Sequence, residues 1–191
     1  MRPAEEFVKE SKKSTGELIL LLREAIKSIA YYRRLLERME VDALTGLPSA
    51  NKFREKLAEI GNRAEGVGVL FFDVNDLKFY NDTYGHKSGD LLLQKAAESI
   101  MHITNDNSIT YRVGGDEFVV ILENCSEAQI SNMLNKWRIK LEDLNAVADG
   151  IHCSVAVGFS IGEEGEAISD VLERADSNMY DVKRKMKAGR E

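Results

Sequence analysis

The sequence predicts an α/β chain of the α+β kind: a mixed, mostly antiparallel central sheet flanked by helices and preceded by a long N-terminal helix. Three observations carry that reading. Helical and strand-like segments alternate from residue 49 onward. Val67 to Phe72 is a continuous apolar run, the mark of a strand covered on both faces. The stretch from Tyr111 to Val120 sets Gly114, Gly115, Asp116 and Glu117 between apolar runs, as at the turn of a hairpin.

The elements follow in order. Residues 1–41 read as a helical stalk. In it Leu18, Leu22, Ala25, Ile29, Tyr32, Leu36 and Met39 recur at alternating spacings of four and three. That is a heptad seam of about three heptads, with charges over much of the remaining surface. A helix of this kind either dimerises as a coiled coil or folds back on its own domain, and the seam favours the dimer. Gly46 and Pro48 end it within Asp42–Pro48, and residues 42–191 form the second unit. Ser49 is placed to cap a helix reaching Asn62, with Phe53, Leu57 and Ile60 on one face. The apolar strand ends in Asp73. A polar loop over 78–90 leads into a helix from Gly89 to Ile103. Strands over 109–113 and 117–122 flank the glycines. A helix over 126–144, a strand over 152–161 and a helix over 167–187 complete the chain.

Composition bounds the function. With 191 residues, 43% hydrophobic and 30% charged, the chain suits one globular domain with an extension. A net charge of −6 argues against a general nucleic-acid binder. It leaves a nucleotide substrate open, because a bound metal ion inverts the local field. No apolar run is long enough to span a bilayer, and residues 18–22 are too short and wrongly flanked for a signal peptide. The expected location is the cytoplasm, with room for a sensor or membrane-tethered region upstream. Cys125 and Cys153 lack metal-ligand spacing and read as reduced, buried thiols. His86, His102 and His152 form no zinc pattern.

The chemistry concentrates at three places. Asp73 stands where a buried strand ends, and Asp116 and Glu117 stand at the hairpin turn. On neighbouring strands these carboxylates converge, and uncompensated they repel. A divalent ion of the Mg2+ type relieves the repulsion and completes its shell from phosphates. Gly114 and Gly115 are expected to take positive φ and to leave room for a phosphate or sugar. Separately these are an exposed hairpin and a turn-forming aspartate; together they favour a metal site. The polar stretch 78–90 carries groups able to read a guanine edge, or is simply a solvated loop. Lys183 and Lys187, four apart, share a helix face fit for a triphosphate, or merely complement the helix dipole.

These stretches together resemble the GGDEF family, the bacterial diguanylate cyclases. The match runs from about Asp42 to Lys187. It rests on Asp42-Ala43-Leu44-Thr45-Gly46-Leu47, Phe72-Asp73, Asn81-Asp82-Thr83-Tyr84-Gly85-His86, Gly89-Asp90, the intact Gly114-Gly115-Asp116-Glu117-Phe118, and Ala175-Asp176 with Tyr180 and Lys183. The resemblance implies a palm-like sheet related to nucleotide cyclases and polymerases. It implies condensation of two GTP into cyclic di-GMP with release of two pyrophosphates, by a homodimer whose domains face each other. Asp73 and Asp116, with the Val74 carbonyl, are implied to hold Mg2+, two ions per site, with Mn2+ as the alternative. Glu117 is implied at the metals or beside the attacking 3′-hydroxyl. Asn81 and Asp90 are implied to read guanine, with His86 nearby. Lys78, Lys183 and, in place of the family's arginine, Lys187 are implied to contact phosphates. Gly114 and Gly115 are implied to allow close approach. Family members inhibited by product carry an Arg-x-x-Asp sequence; the corresponding positions here are Asn105 and Ser108, so that site is expected to be absent. The family's Asn-Arg-Arg is replaced by Ser49-Ala50-Asn51 after Pro48. The rival reading is an inactive module of the same family that binds GTP or a protein.

Overall fold

The structure, a computed structural model, describes residues 17–29, 31–32, 40–148 and 150–189. The chain divides into two compact units, Met1–Met39 and Glu40–Glu191. In the first, residues 17–29 and 31–32 are helical (α1). The seam residues Leu18, Leu22, Ala25, Ile29 and Tyr32 are all exposed. Leu36 and Met39 lie outside the described residues.

The second unit is built on a four-stranded antiparallel sheet of order β2-β3-β1-β4. Its strands are β1 (Gly68–Val74), β2 (Ser108–Arg112), β3 (Glu117–Leu122) and β4 (Val155–Ile161). Among the described residues five helices accompany it: α2 (Ala50–Ile60), α3 (Leu77–Tyr84), α4 (His86–Met101), α5 (Glu127–Asn145) and α6 (Ile168–Ala188). Two apolar clusters sandwich the sheet. On one face Leu70, Phe72, Phe118 and Val120 pack with Leu92, Ile100, Ile130 and Trp137 from α4 and α5. On the other Val69, Phe71, Val119 and Ile121 pack with Phe53 and Ile60 of α2 and Val171, Ala175 and Met179 of α6. Strand β1 is central and buried along its whole length, which is why its apolar run is unbroken. Trp137 meets Phe72 edge-on at 5.3 Å and donates from Nε1 to Ser99 Oγ at 3.1 Å, so its one polar atom is satisfied inside the core.

Local chemistry fixes the ends. Ser49 caps α2 by accepting from the Asn51 N–H, and α2 stops one residue before Gly61, whose φ is 56°. Ser126 and Gln129 form a reciprocal capping box at the start of α5. Two boundaries differ from the sequence reading. The stretch 78–90, expected as a loop, is mostly helix: α3, then Gly85 at φ 84°, then α4. Helix α3 has eight residues, none fully buried, and its N-cap Asp76 is left-handed and makes no side-chain cap. It gains support by packing on α4, by laying Leu77 and Tyr80 against the core and through the Tyr80 hydroxyl on His152, contacts that sequence periodicity does not display. Strand β4 begins at Val155 instead of His152, because β1 ends at Val74, directly opposite. The three residues ahead of β4 bond instead to side chains and a loop: His152 to the Tyr80 hydroxyl, Cys153 to Asn145, and the Ser154 carbonyl to the Asn75 N–H.

Helix α6 lies unusually close to β4. A Cβ on Gly158 would stand 2.0 Å from the Met179 nitrogen, so only glycine admits the helix backbone there. From α6, Asn178 Nδ2 donates to the Phe159 carbonyl at 2.9 Å, and Arg174 Nη2 donates to the Ile161 carbonyl at 2.7 Å. Among the described residues no helix is long and apolar enough to cross a membrane. Both cysteines are free, Cys153 buried and Cys125 half-buried.

Candidate active site

The period-two alternation of β1 and β3 builds the site. Val69, Phe71 and Asp73 point to the α6 face of the sheet, as do Glu117, Val119 and Ile121. The apolar members form the core, and the acids end the two rows. Asp73 and Glu117 are register partners across the β1–β3 pair, so the carboxylates emerge side by side at one sheet end. Asp116 precedes Glu117, and its carbonyl accepts the Val74 N–H at 2.9 Å. That bond locks the turn to the end of β1.

The turn glycines do something other than expected. Neither Gly114 nor Gly115 has positive φ. Gly114 is small because the Glu117 side chain folds over it: an added Cβ would sit 2.4 Å from Glu117 Oε2. Gly115 faces open space and is exposed. Contact, not backbone handedness, explains the first glycine. Arg112 braces the turn from outside. It donates from Nη2 to the Gly115 carbonyl at 2.6 Å and from Nη1 to Asp42 Oδ1 at 2.9 Å.

Helix α6 brings the cations. Asp176, Tyr180, Lys183 and Lys187 follow at intervals of four, three and four, one face of the helix. Lys183 Nζ stands 2.6 Å from Asp73 Oδ1 and 2.7 Å from Oδ2. Asp73 is 6% exposed, and burial raises its proton affinity. Lys183 and, more weakly, Lys187 oppose that rise, Asp116 adds to it, and the balance stays above the usual aspartate range. Glu117 is also raised, first by burial and then by the negative charges of Asp116, Asp73 and Asp176, against Lys183.

The guanine-reading candidates lie on the helix pair. Asn81, half-buried on α3, points at Gly89 of α4: an added Cβ there would be 2.0 Å from Asn81 Oδ1. Asp90 is exposed beside it. Lys78 and His86 are exposed at the starts of α3 and α4, and among the described residues no hydrogen bond or ion pair links either to the acids. The structure thus joins Asp73, Asp116, Glu117 and Lys183 in one cluster, with Lys187 felt through its charge, and holds Asn81 and Asp90 apart on their own helices.

The donor set suits a cation that arrives with its own ligands. Asp73 Oδ1 is buried, and the Lys183 ammonium lies against it. Among the described residues no three His, Cys, Asp or Glu side chains stand ready to ligate one ion. Mg2+ carried on phosphates needs only one or two protein carboxylates. Arg112 was not singled out from the sequence, and Asp42, Gly89 and Asp176 stood there in motif blocks with no role of their own. Arg112 and its partner Asp42 are far apart in the chain. Gly89 shows its role only when Asn81 lies on it. Asp176 has a visible signal, its helical spacing to Lys183 and Lys187, but no sign of facing Glu117.

Comparison with known proteins gives the chain's family. Residues 39–189 match the family described as "Diguanylate cyclase, GGDEF domain". The chain is 32% identical over 161 residues to the cyclic di-GMP phosphodiesterase PdeR of Escherichia coli, covering 79% of this chain and 24% of that protein. It is 29% identical over 160 residues to diguanylate cyclase A of Treponema denticola, covering 78% of this chain and 43% of that one. The chain therefore spans less than half of either relative. It superposes on the coiled coil and GGDEF domain of DgcB from Caulobacter crescentus, solved with c-di-GMP, with a TM-score of 0.71 and 25% identity, covering 88% of this chain and 95% of that one. With its four-stranded sheet, its flanking helices and a match over residues 39–189, this chain belongs to the GGDEF-domain family of the diguanylate cyclases.

Proposed function

We propose that the chain is a diguanylate cyclase, joining two GTP molecules into cyclic di-GMP. In each half-reaction the ribose 3′-oxygen of one GTP attacks the α-phosphorus of the other. A new P–O bond forms, the bond to pyrophosphate breaks, and the hydroxyl proton leaves to a base. The observation that carries this is the register pairing of Asp73 with Glu117, next to Asp116 and under Lys183. Bound Mg2+, or Mn2+, two ions per site, would lower the pKa of the hydroxyl and screen the phosphates. Asp73, Asp116 and the Val74 carbonyl would hold it. Glu117, with its raised proton affinity and its place beside the metal ligands, is suited to receive the 3′-hydroxyl proton. Lys183 and Lys187 on α6, with Lys78 on α3, would take phosphate oxygens. Asn81 and Asp90 would accept and donate to the guanine edge, with His86 at the rim. Gly115, open on its outer side, would let a nucleotide approach the turn.

One domain holds one GTP, and each GTP must attack the other, so the reaction needs two domains face to face. The exposed seam Leu18, Leu22, Ala25, Ile29 and Tyr32 supports a parallel pairing of stalks that raises the effective concentration of the two domains. A sensor ahead of the stalk would act through its register.

A second reading is favoured by one observation: the 32% identical relative is named a phosphodiesterase, and the match covers 24% of it. In that reading the domain binds GTP or a protein without turnover. Incubating the purified chain with GTP and Mg2+ and separating the products by chromatography distinguishes the two. Cyclic di-GMP and pyrophosphate support the cyclase; intact GTP from a confirmed dimer sinks it.

A further inference from the structure

We propose that Lys183 is an internal counter-cation that guards Asp73, so that the divalent ion gains its place only together with a triphosphate that draws the lysine away. This rests on the cyclase reading for the identity of the triphosphate. The contact itself is geometric. Lys183 Nζ lies 2.6 Å from Asp73 Oδ1 and 2.7 Å from Oδ2, so one ammonium spans both carboxylate oxygens. Mg2+ binds oxygen at about 2.0–2.1 Å and demands near-octahedral room. An ammonium and a dication cannot share those two oxygens without strong repulsion.

Asp73 is nearly inaccessible, with 8% of its side chain exposed, whereas 22% of Lys183 is exposed. The lysine is therefore the partner that can leave. The helix that carries it is held independently. Gly158 seats the α6 backbone on β4, Asn178 bonds the Phe159 carbonyl, and Asn75 Nδ2 lies 3.8 Å from Met186 Sδ. Release of Asp73 is thus a rotation of one side chain about a fixed helix.

The energetics favour exchange over simple displacement. A free dication would break the ammonium's close pairing with Asp73 and bring no anion to replace it. A metal–triphosphate brings the dication and, on the same molecule, the anionic oxygens that Lys183 then contacts. Asp73 keeps a cationic partner throughout, the single charge of the ammonium giving way to the double charge of the ion. Metal and nucleotide are then positively coupled, and the lysine is the source of the coupling.

The test is Mn2+ titration of the full chain, by isothermal calorimetry or by loss of the free-ion paramagnetic resonance signal. It is run without nucleotide and with a GTP analogue that cannot be cleaved between the α- and β-phosphates. Lys183→Met should bind Mn2+ without nucleotide more tightly than the parent, by roughly fivefold or more, and should bind the Mn2+–analogue complex more weakly. Lys183→Gln repeats the measurement should the first variant fold poorly. The added substitution Asp73→Asn should erase the gain. A lysine that only contacts phosphate would weaken the complex and leave nucleotide-free binding unchanged; a lysine that only supports the fold would weaken both. Either result overturns the proposal. The titration needs no turnover. Cyclic di-GMP formation by the parent with no gain in Lys183→Met removes the guard alone, and a gain without turnover removes the cyclase alone.

Discussion

Arg112 joins Asp42 at 2.9 Å across 70 residues of sequence, and the same guanidinium holds the Gly115 carbonyl at 2.6 Å. The joint that follows the stalk and the turn that carries the acids therefore share one side chain. Asp42 also accepts from the Thr45 N–H and hydroxyl at 2.9 and 2.6 Å. Burial alone would raise its proton affinity, but the bonds from Thr45 and Arg112 together hold it below the usual aspartate range. Arg112→Ala should destabilise the domain by about 1.5–3 kcal/mol, as for hydrogen bonds to charged groups. Urea unfolding measures it. The sign with pH is fixed. A lowered folded pKa gives stability that is present above the ordinary aspartate range and is lost as pH falls through the lowered value. The variant should show a smaller acid loss than the parent.

Asp116→Asn should reduce cyclic di-GMP formation to background while circular dichroism and the melting temperature stay near the parent's. The side chain is half-buried, and the bond that locks the turn uses its backbone carbonyl, which the substitution leaves in place. Near-normal turnover would remove Asp116 from the metal site.

Glu117→Gln should raise the melting temperature at neutral pH while lowering turnover. Burial and three neighbouring acids raise the folded pKa of Glu117, so ionising it opposes folding. The sign is the reverse of that for Asp42. The favourable contribution is full below the ordinary glutamate range and is lost as pH rises through the raised value. The two melting temperatures should converge in acid. A variant less stable than the parent at neutral pH contradicts this.

Gly89→Ala should weaken GTP binding more than it slows turnover. The new methyl would fall on Asn81 Oδ1 and turn that side chain aside. Loss of one or two hydrogen bonds to guanine corresponds to about a tenfold rise in KM. Initial rates over a range of GTP decide it, and an unchanged KM removes Asn81 from recognition.

Added cyclic di-GMP should leave the initial rate unchanged. Asn105 and Ser108 fold onto each other: the Asn105 N–H donates to Ser108 Oγ at 2.8 Å, and the Ser108 N–H donates to the Asn105 carbonyl at 3.0 Å. These are neutral groups bonded to each other on a local loop, with no cation at either position to take a phosphate. Strong inhibition at low concentration would show a second product site.

The layered fold is legible in the sequence because hydrophobic periodicity is local. The unbroken run of β1, the glycine turn before β3 and the seryl cap of α2 each announce themselves within ten residues. The acids of the site are legible for the same reason, since strand ends and turns can be read one at a time. What was hidden is tertiary. Lys183 and Asp73 are 110 residues apart, and nothing in either segment names the other. Gly114 was expected to serve the backbone and serves a side chain instead, because sequence shows that glycine is needed but not which neighbour needs it. Helix α3 looks like a loop in the sequence because the face it buries is shallow and its cap is irregular.

The two carbonyls of Phe159 and Ile161 lie on the outer margin of β4, where a foreign strand would otherwise attach, and Asn178 and Arg174 already occupy them. With two of its outward carbonyls taken, that margin is a poorer template for cross-molecular β-pairing. Crowding two copies together, as a paired stalk would do, therefore carries little risk of fusing their sheets there into an aggregate. The side chains of one helix act as a hem on the neighbouring strand.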